Sequence, residues 1–335
     1  MKKSARETGA GVGNQHAGDL PPPENLAASG EVPQRKFGRT ELVVSAMALG
    51  GATIANAKTR SESIRIVQEA VDNGITFMDN AWDYHDGRSE KLMGEALRGR
   101  RDQVFLMTKV CSHGRDKKVA LKQLEESLRR LKTDYLDLWQ IHEVVYETDP
   151  DLHFAPGGAV EALVQAKKQG KVRFVGFTGH KSPALHKRML AYDFPFDSVQ
   201  MPLSGFDANF RSFECEILPL LLEKGIAPIG MKSLNGTADA VKKRVVTAEE
   251  AIRYAMSLPV TTTVSGMDSL KVLRKNLKIA RNFVPMTKEE KDGFRKKCAV
   301  HATDGRFELY KVSLYFDGAE GREQHSFPTE KKVAA

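Results

Sequence analysis

The chain has 335 residues, 41% of them hydrophobic and 28% charged, with a formal net charge of +8. No run approaches 18 consecutive apolar residues, which excludes a helical membrane span from the sequence. Three scattered cysteines, Cys111, Cys215 and Cys298, exclude a disulfide framework or a zinc motif legible from spacing, and free thiols suit a reducing cytoplasm.

Residues 1 to 36 are rich in Gly, Ala and Pro and lack the apolar core and cleavage site of a signal peptide, so residues 1–34 read as a mobile tail. The segment RKFGRTELVV reads as a short hairpin. From there one unit recurs. SESIRIVQEAVDNG has apolar residues at helical spacing, stops at Gly74 and runs into the strand ITFMDNA. GGAVEALVQAKKQG ends at Gly170 before VRFVGFTGH, and ILPLLLEKG ends at Gly225 before IAPIGMKS. Glycine in these places takes the left-handed position that closes a helix.

Strands are expected to begin near residues 44, 75, 104, 135, 172, 197, 226 and 261, each followed by a helix candidate. Eight such units close a (β/α)8 TIM barrel. We place it at residues 35–290, with the hairpin at its bottom and a C-terminal extension at 291–335. An open doubly wound sheet needs a GxGxxG turn after its first strand, and SAMALGGAT does not supply it. The densest basic run, KKR at 242 to 244, has no interleaved aromatics and reads as a solvated face, with no nucleic-acid partner implied.

Barrel chemistry sits at the carboxyl ends of the strands. The second strand delivers Asp79, with Tyr84 in the following loop; the third delivers Lys109 and the fourth His142. Singly, each has an ordinary structural explanation. Together they place opposite charges on adjacent strands, where burial requires pairing. An ammonium beside a phenol is expected to pull the Tyr84 pKa down, fitting it to exchange a proton with a carbonyl oxygen. Trp82 is a candidate wall of the substrate pocket, and residues 143 to 158 a loop over the mouth. Cys111, two residues past Lys109, reads as an inert core thiol.

FMDNAWDY, GRSEKLMGEAL and LEESLRRLKTDYLDLWQIH resemble conserved segments of the aldo-keto reductase superfamily over residues 37 to 282. The resemblance implies a catalytic tetrad: Tyr84 as general acid or base, Lys109 tuning it, Asp79 pairing with Lys109, and His142 orienting the carbonyl. It also implies an extended nicotinamide cofactor across the barrel mouth. Gln200 then matches the family's carboxamide-binding glutamine. GFTGH replaces the usual GVSNF, so Thr178 retains a hydroxyl while Gly179 lacks the asparagine. GMKSLNG replaces AYSPLG, putting Met231 at the ring-stacking position, with Lys232, Ser233 and Leu234 toward the pyrophosphate. VSGMDSLKVLRKN aligns Asn276 with the adenine end, and Lys271, Arg274 and Lys275 are candidates for a 2′-phosphate. Asp268 either caps that helix or accepts a ribose hydroxyl.

These readings lead to a reductase of small-molecule aldehydes or ketones using NADPH, with NADH possible. The alternative is a nicotinamide-binding sensor or regulatory barrel without significant turnover. The aromatics of the last segment, Phe307, Tyr310, Tyr315 and Phe316, are expected either to fold over the site or to pack on a second subunit.

Overall fold

The computed structural model of the chain describes residues 16–113 and 115–329. The hairpin is β1 (Gln34–Lys36) paired antiparallel with β2 (Val43–Ser45). The barrel strands are β3 (Met47–Gly50), β4 (Phe77–Asp79), β5 (Phe105–Cys111), β6 (Leu136–His142), β7 (Val172–Thr178), β8 (Ser198–Pro202), β9 (Ala227–Met231) and β10 (Thr262–Gly266). They close in the order β10-β3-β4-β5-β6-β7-β8-β9, every pair parallel.

A helix follows each strand, from Arg60–Asp72 after β3 to Leu270–Arg281 after β10. Thr59, Asp116, Ser182, Thr247 and Ser269 cap helix starts by accepting backbone N–H bonds. Gly74, Gly170 and Gly225 all have positive φ, as expected where a helix closes. The cap before Leu270 is Ser269; the Asp268 carboxylate contacts the Ser269 hydroxyl instead.

The strand expected near residue 44 is two strands. Ala46 breaks it: its N–H bonds to Pro33 while its carbonyl accepts from Thr263. The Ser45 hydroxyl oxygen accepts the N–H groups of Thr76 and Phe77 where β-ladder continuity is lost.

Period-two alternation decides what fills the barrel. Phe77, Phe105, Met107, Leu138 and Ile229 form an inner apolar cluster with Phe37 of the hairpin, whose ring lies 4.8 Å from that of Phe105. This closes the bottom. Continuing along the same inward face brings Lys109 and Cys111 on β5, Gln140 and His142 on β6, Thr178 on β7 and Gln200 on β8 to the opposite end.

Both terminal segments dock on the barrel. Residues 1–15 of the expected mobile tail lie outside the described residues, but from His16 onward the chain is tied down. Lys291 Nζ donates to Gly18 O at 2.6 Å, and Arg295 bonds Asp19 at 2.6 Å. After the helix Lys288–Ala299 the chain returns to the barrel mouth. There, fully buried Lys311 sits 2.5 Å from Asp207 and 2.9 Å from Glu308.

Candidate active site

Asp79 ends β4, and its carboxylate meets Lys109 Nζ at 2.6 Å. The ammonium also donates to Asn80 O at 2.7 Å and lies 3.4 Å from the Tyr84 hydroxyl. The Tyr84 and His142 rings meet edge to face, 5.8 Å between centroids. Sequence-distant groups therefore converge as expected. Tyr84 departs from expectation in one respect: its pKa is raised well above 10. Burial is the main cause, reinforced by the carboxylates of Asp79, Asp83 and Glu143, and their sum outweighs the nearby ammonium.

The neighbouring charges were not anticipated. Asp83 Oδ1 lies 3.2 Å from His142 Nδ1. Glu143 sits between His180 at 3.4 Å and His113 at 3.6 Å and accepts the Gly318 N–H at 2.6 Å. Burial would raise the Glu143 pKa, but His180, His113 and His142 hold it well below the usual carboxylate range. Cys111 is fully buried, as expected of a core thiol. It shares the inward face of Lys109, and its Cα is paired with that of His142. Strict alternation along β5 carried that signal.

On the cofactor side, Thr178 and Gln200 are register partners and both are buried. Gln200 Nε2 donates to Asp79 Oδ1 at 3.3 Å, while its Oε1 is buried without a hydrogen-bond partner. Gly179 has a steric reason. A Cβ there would come within 2.5 Å of Val144 O and 2.7 Å of the His186 ring, leaving no room for asparagine. Met231 ends β9 half-buried, Ser233 is buried, and Leu234 packs on the core.

Lys232 does not reach outward. Its Nζ lies over the Phe316 and Tyr310 rings, at 4.6 and 5.4 Å, and burial lowers its pKa to about 8. Trp82 leans on the helix Lys117–Leu131: its indole N–H donates to Glu126 at 2.8 Å and its face meets Arg130. Residues 143 to 158 contain a helix, Asp149–Phe154, rather than a bare loop.

At the adenosine end, Asn276 donates to Ser265 Oγ at 3.0 Å. Arg274 forms a two-bond pair with Glu69, at 2.6 and 3.0 Å. Lys271 and Lys275 are exposed on the same helix.

The C-terminal segment covers the mouth. Asp317 pairs with Lys181 at 2.9 Å and with His180 at 3.4 Å, and Phe316 packs on Gly236. Its aromatics fold inward: the Phe307 ring lies tilted at 5.2 Å from that of Phe206, while Tyr315 stays exposed.

A sequence model described as the Aldo/keto reductase family matches residues 42–245. The chain belongs to that family. Among curated relatives, the oxidoreductase YqkF of Bacillus subtilis is 26% identical over 301 residues, covering 77% of this chain and 94% of the relative. Methylglyoxal reductase YeaE of Escherichia coli is 37% identical over 118 residues, 35% of this chain and 39% of the relative. Among solved structures, the holo form of aldo-keto reductase AKR11C1 from Bacillus halodurans superposes with a TM-score of 0.66 at 24% identity, covering 79% of this chain and 95% of that one. An aldo/keto reductase from Klebsiella pneumoniae in complex with NADP and acetate gives 0.63 at 22%, covering 81% and 96%. These likenesses agree on the barrel fold.

Proposed function

We propose that this aldo/keto reductase reduces an aldehyde or ketone to an alcohol, reversibly, with NADPH as the preferred cofactor and Tyr84 as the general acid and base. One observation carries the reading: the Lys109 ammonium bridges Asp79 and the Tyr84 hydroxyl beside His142, at the carboxyl ends of adjacent strands.

The residues present fit a nicotinamide. The orphaned Gln200 Oε1 needs an N–H donor, which a carboxamide offers, and Thr178 stands beside it. When bound, the nicotinamide supplies the hydride to the carbonyl carbon. His142 holds the carbonyl oxygen toward Tyr84, and the phenol gives its proton to that oxygen as negative charge develops. Lys109 then stabilises the phenolate until it regains a proton from solvent, and Asp79 keeps the ammonium in place. A protonated phenol suits reduction, the direction in which Tyr84 donates.

The test is Tyr84→Phe. Cofactor titration should be unchanged while kcat falls by roughly 10²- to 10⁴-fold; a near-normal rate would remove Tyr84 from the mechanism. Dicarbonyls of the kind named for the E. coli relative belong in the first substrate panel.

One observation favours a second reading, a nicotinamide-binding sensor: the C-terminal segment lies across the mouth. Cofactor binding without turnover of any carbonyl, even after removal of that segment, would select it.

A further inference from the structure

We propose that Asp83, Cys111 and His142 form a binding site for a thiophilic divalent cation of the zinc class, and that filling it halts carbonyl reduction. The site stands on its own geometry; the inhibitory consequence rests on the catalytic reading above.

The ligand atoms of the three side chains, a carboxylate oxygen, Sγ and an imidazole nitrogen, all lie within 4.8 Å of one another. Bonds of about 2.0 to 2.3 Å in a tetrahedral zinc site put ligand atoms roughly 3.3 to 3.8 Å apart, so a contraction of about 1 Å completes the set. Asp83 Oδ1 and His142 Nδ1 are already 3.2 Å apart. Both atoms are buried, and neither makes a hydrogen bond of proper alignment. His142 itself is only 9% exposed.

Donor chemistry selects the ion. One thiol, one imidazole and one carboxylate suit a borderline-soft metal, and three protein ligands leave the fourth position for water or a substrate oxygen. Magnesium or calcium would want oxygen throughout.

The surroundings brace the ligands. Gln123 bonds both the backbone N–H and the carbonyl of Cys111, at 2.9 and 3.0 Å, fixing the end of β5. Overhead, the C-terminal chain passes at Gly318, where a Cβ would lie 3.5 Å from Asp83 Oδ2 and 3.7 Å from Cys111 Sγ. Backbone thus shields the trio from bulk water. On binding, Cys111 enters as thiolate and its proton leaves to solvent; no electron is transferred.

Occupancy would disable the tetrad, because it draws the His142 ring toward Cys111, away from the carbonyl.

The experiment titrates Co²⁺ into the full chain carrying Cys215→Ser, which removes the exposed thiol, and reads the thiolate-to-cobalt charge-transfer absorption. One equivalent should give the band, Zn²⁺ should displace it, and adding Cys111→Ser should abolish it. Circular dichroism checks that each variant is folded. In parallel, micromolar Zn²⁺ should slow carbonyl reduction roughly tenfold or more, reversibly with chelator, and the sensitivity should be lost with Cys111→Ser. No band, or a band unchanged by Cys111→Ser, overturns the site. A band from Cys111 in a chain that reduces no carbonyl upholds the site and refutes the catalytic reading instead.

Discussion

Lys109 Nζ and Asp79 Oδ1 lie 2.6 Å apart with both side chains buried. Such a pair contributes little net stability against an apolar replacement, but removing one partner leaves a charge uncompensated, at a cost of about 3 to 5 kcal/mol. Lys109→Met should therefore unfold at markedly lower denaturant. Combining it with Asp79→Asn should restore much of the stability and none of the turnover. A double variant no more stable than Lys109→Met would mean that the pair does not answer for the loss.

The raised Tyr84 pKa makes the two reaction directions respond oppositely to pH. Reduction needs the phenol, which persists well above pH 10, so its kcat should not fall through Tyr84 ionisation in the neutral range. Oxidation needs phenolate and should accelerate steadily with pH. Lys232, at about 8, also titrates near the site. Any step in the reduction profile near pH 8 should disappear in Lys232→Met, and a step that survives there would assign it to Tyr84 and contradict its raised pKa.

The strand order and the convergence of Asp79, Lys109 and His142 were legible because both are written in local periods. Apolar runs closed by Gly74, Gly170 and Gly225 mark the repeating unit, and Asp79, Lys109 and His142 each end such a run. The charges around them were not legible. Glu143 meets His180 across the ends of adjacent strands, and Asp317 joins them only because a segment more than a hundred residues downstream folds back over the mouth. The expected fall in the Tyr84 pKa failed chiefly because burial, reinforced by Asp79, Asp83 and Glu143, outweighs the ammonium, and burial of a loop tyrosine is not written in its local sequence. The contacts of Trp82 with Glu126 and Arg130 on the helix Lys117–Leu131 were likewise not legible, because those partners lie more than forty residues away in sequence.

Asp317 anchors the cover. Its carboxylate holds Lys181 and His180, and Phe316 lies over Lys232. Ending the chain at Ser313 should admit bulkier carbonyls and raise KM for small ones. It should also increase hydrogen exchange around His180 and Lys181. Unchanged selectivity across a size series would show that the cover does not shape the site.

Three buried histidines predict acid sensitivity. Burial lowers His153, His180 and His186 below 6.5, His186 to about 3. Between each lowered value and 6.5 the unfolded chain binds more protons than the folded one, so stability rises with pH there and is lost on acidification. The slope contributed by each is up to about 1.4 kcal/mol per pH unit. Glu214 and Glu308, each raised to about 7 by burial, act in the opposite sense over the same range, so the histidine contribution is read by difference. His186→Phe, in a site walled by Phe177 and Phe213, should make the urea midpoint less sensitive to acidification from pH 7 to pH 5 than the parent by about one proton.

Arg274 is a phosphate ligand only if it leaves Glu69. The pair is largely exposed, with the arginine side chain 59% accessible, so breaking it costs under about 1 kcal/mol. That is a factor of up to about five in affinity. Glu69→Gln should accordingly tighten NADPH by roughly two- to fivefold and leave NADH untouched, because only NADPH carries the 2′-phosphate. Lys271→Ala and Lys275→Ala should weaken NADPH alone. Fluorescence titration of both cofactors against the three variants reads all of this at once. Equal changes for NADPH and NADH would place the 2′-position away from this helix face and leave Asp268, with its acceptor for a ribose hydroxyl, as the better guide to cofactor choice.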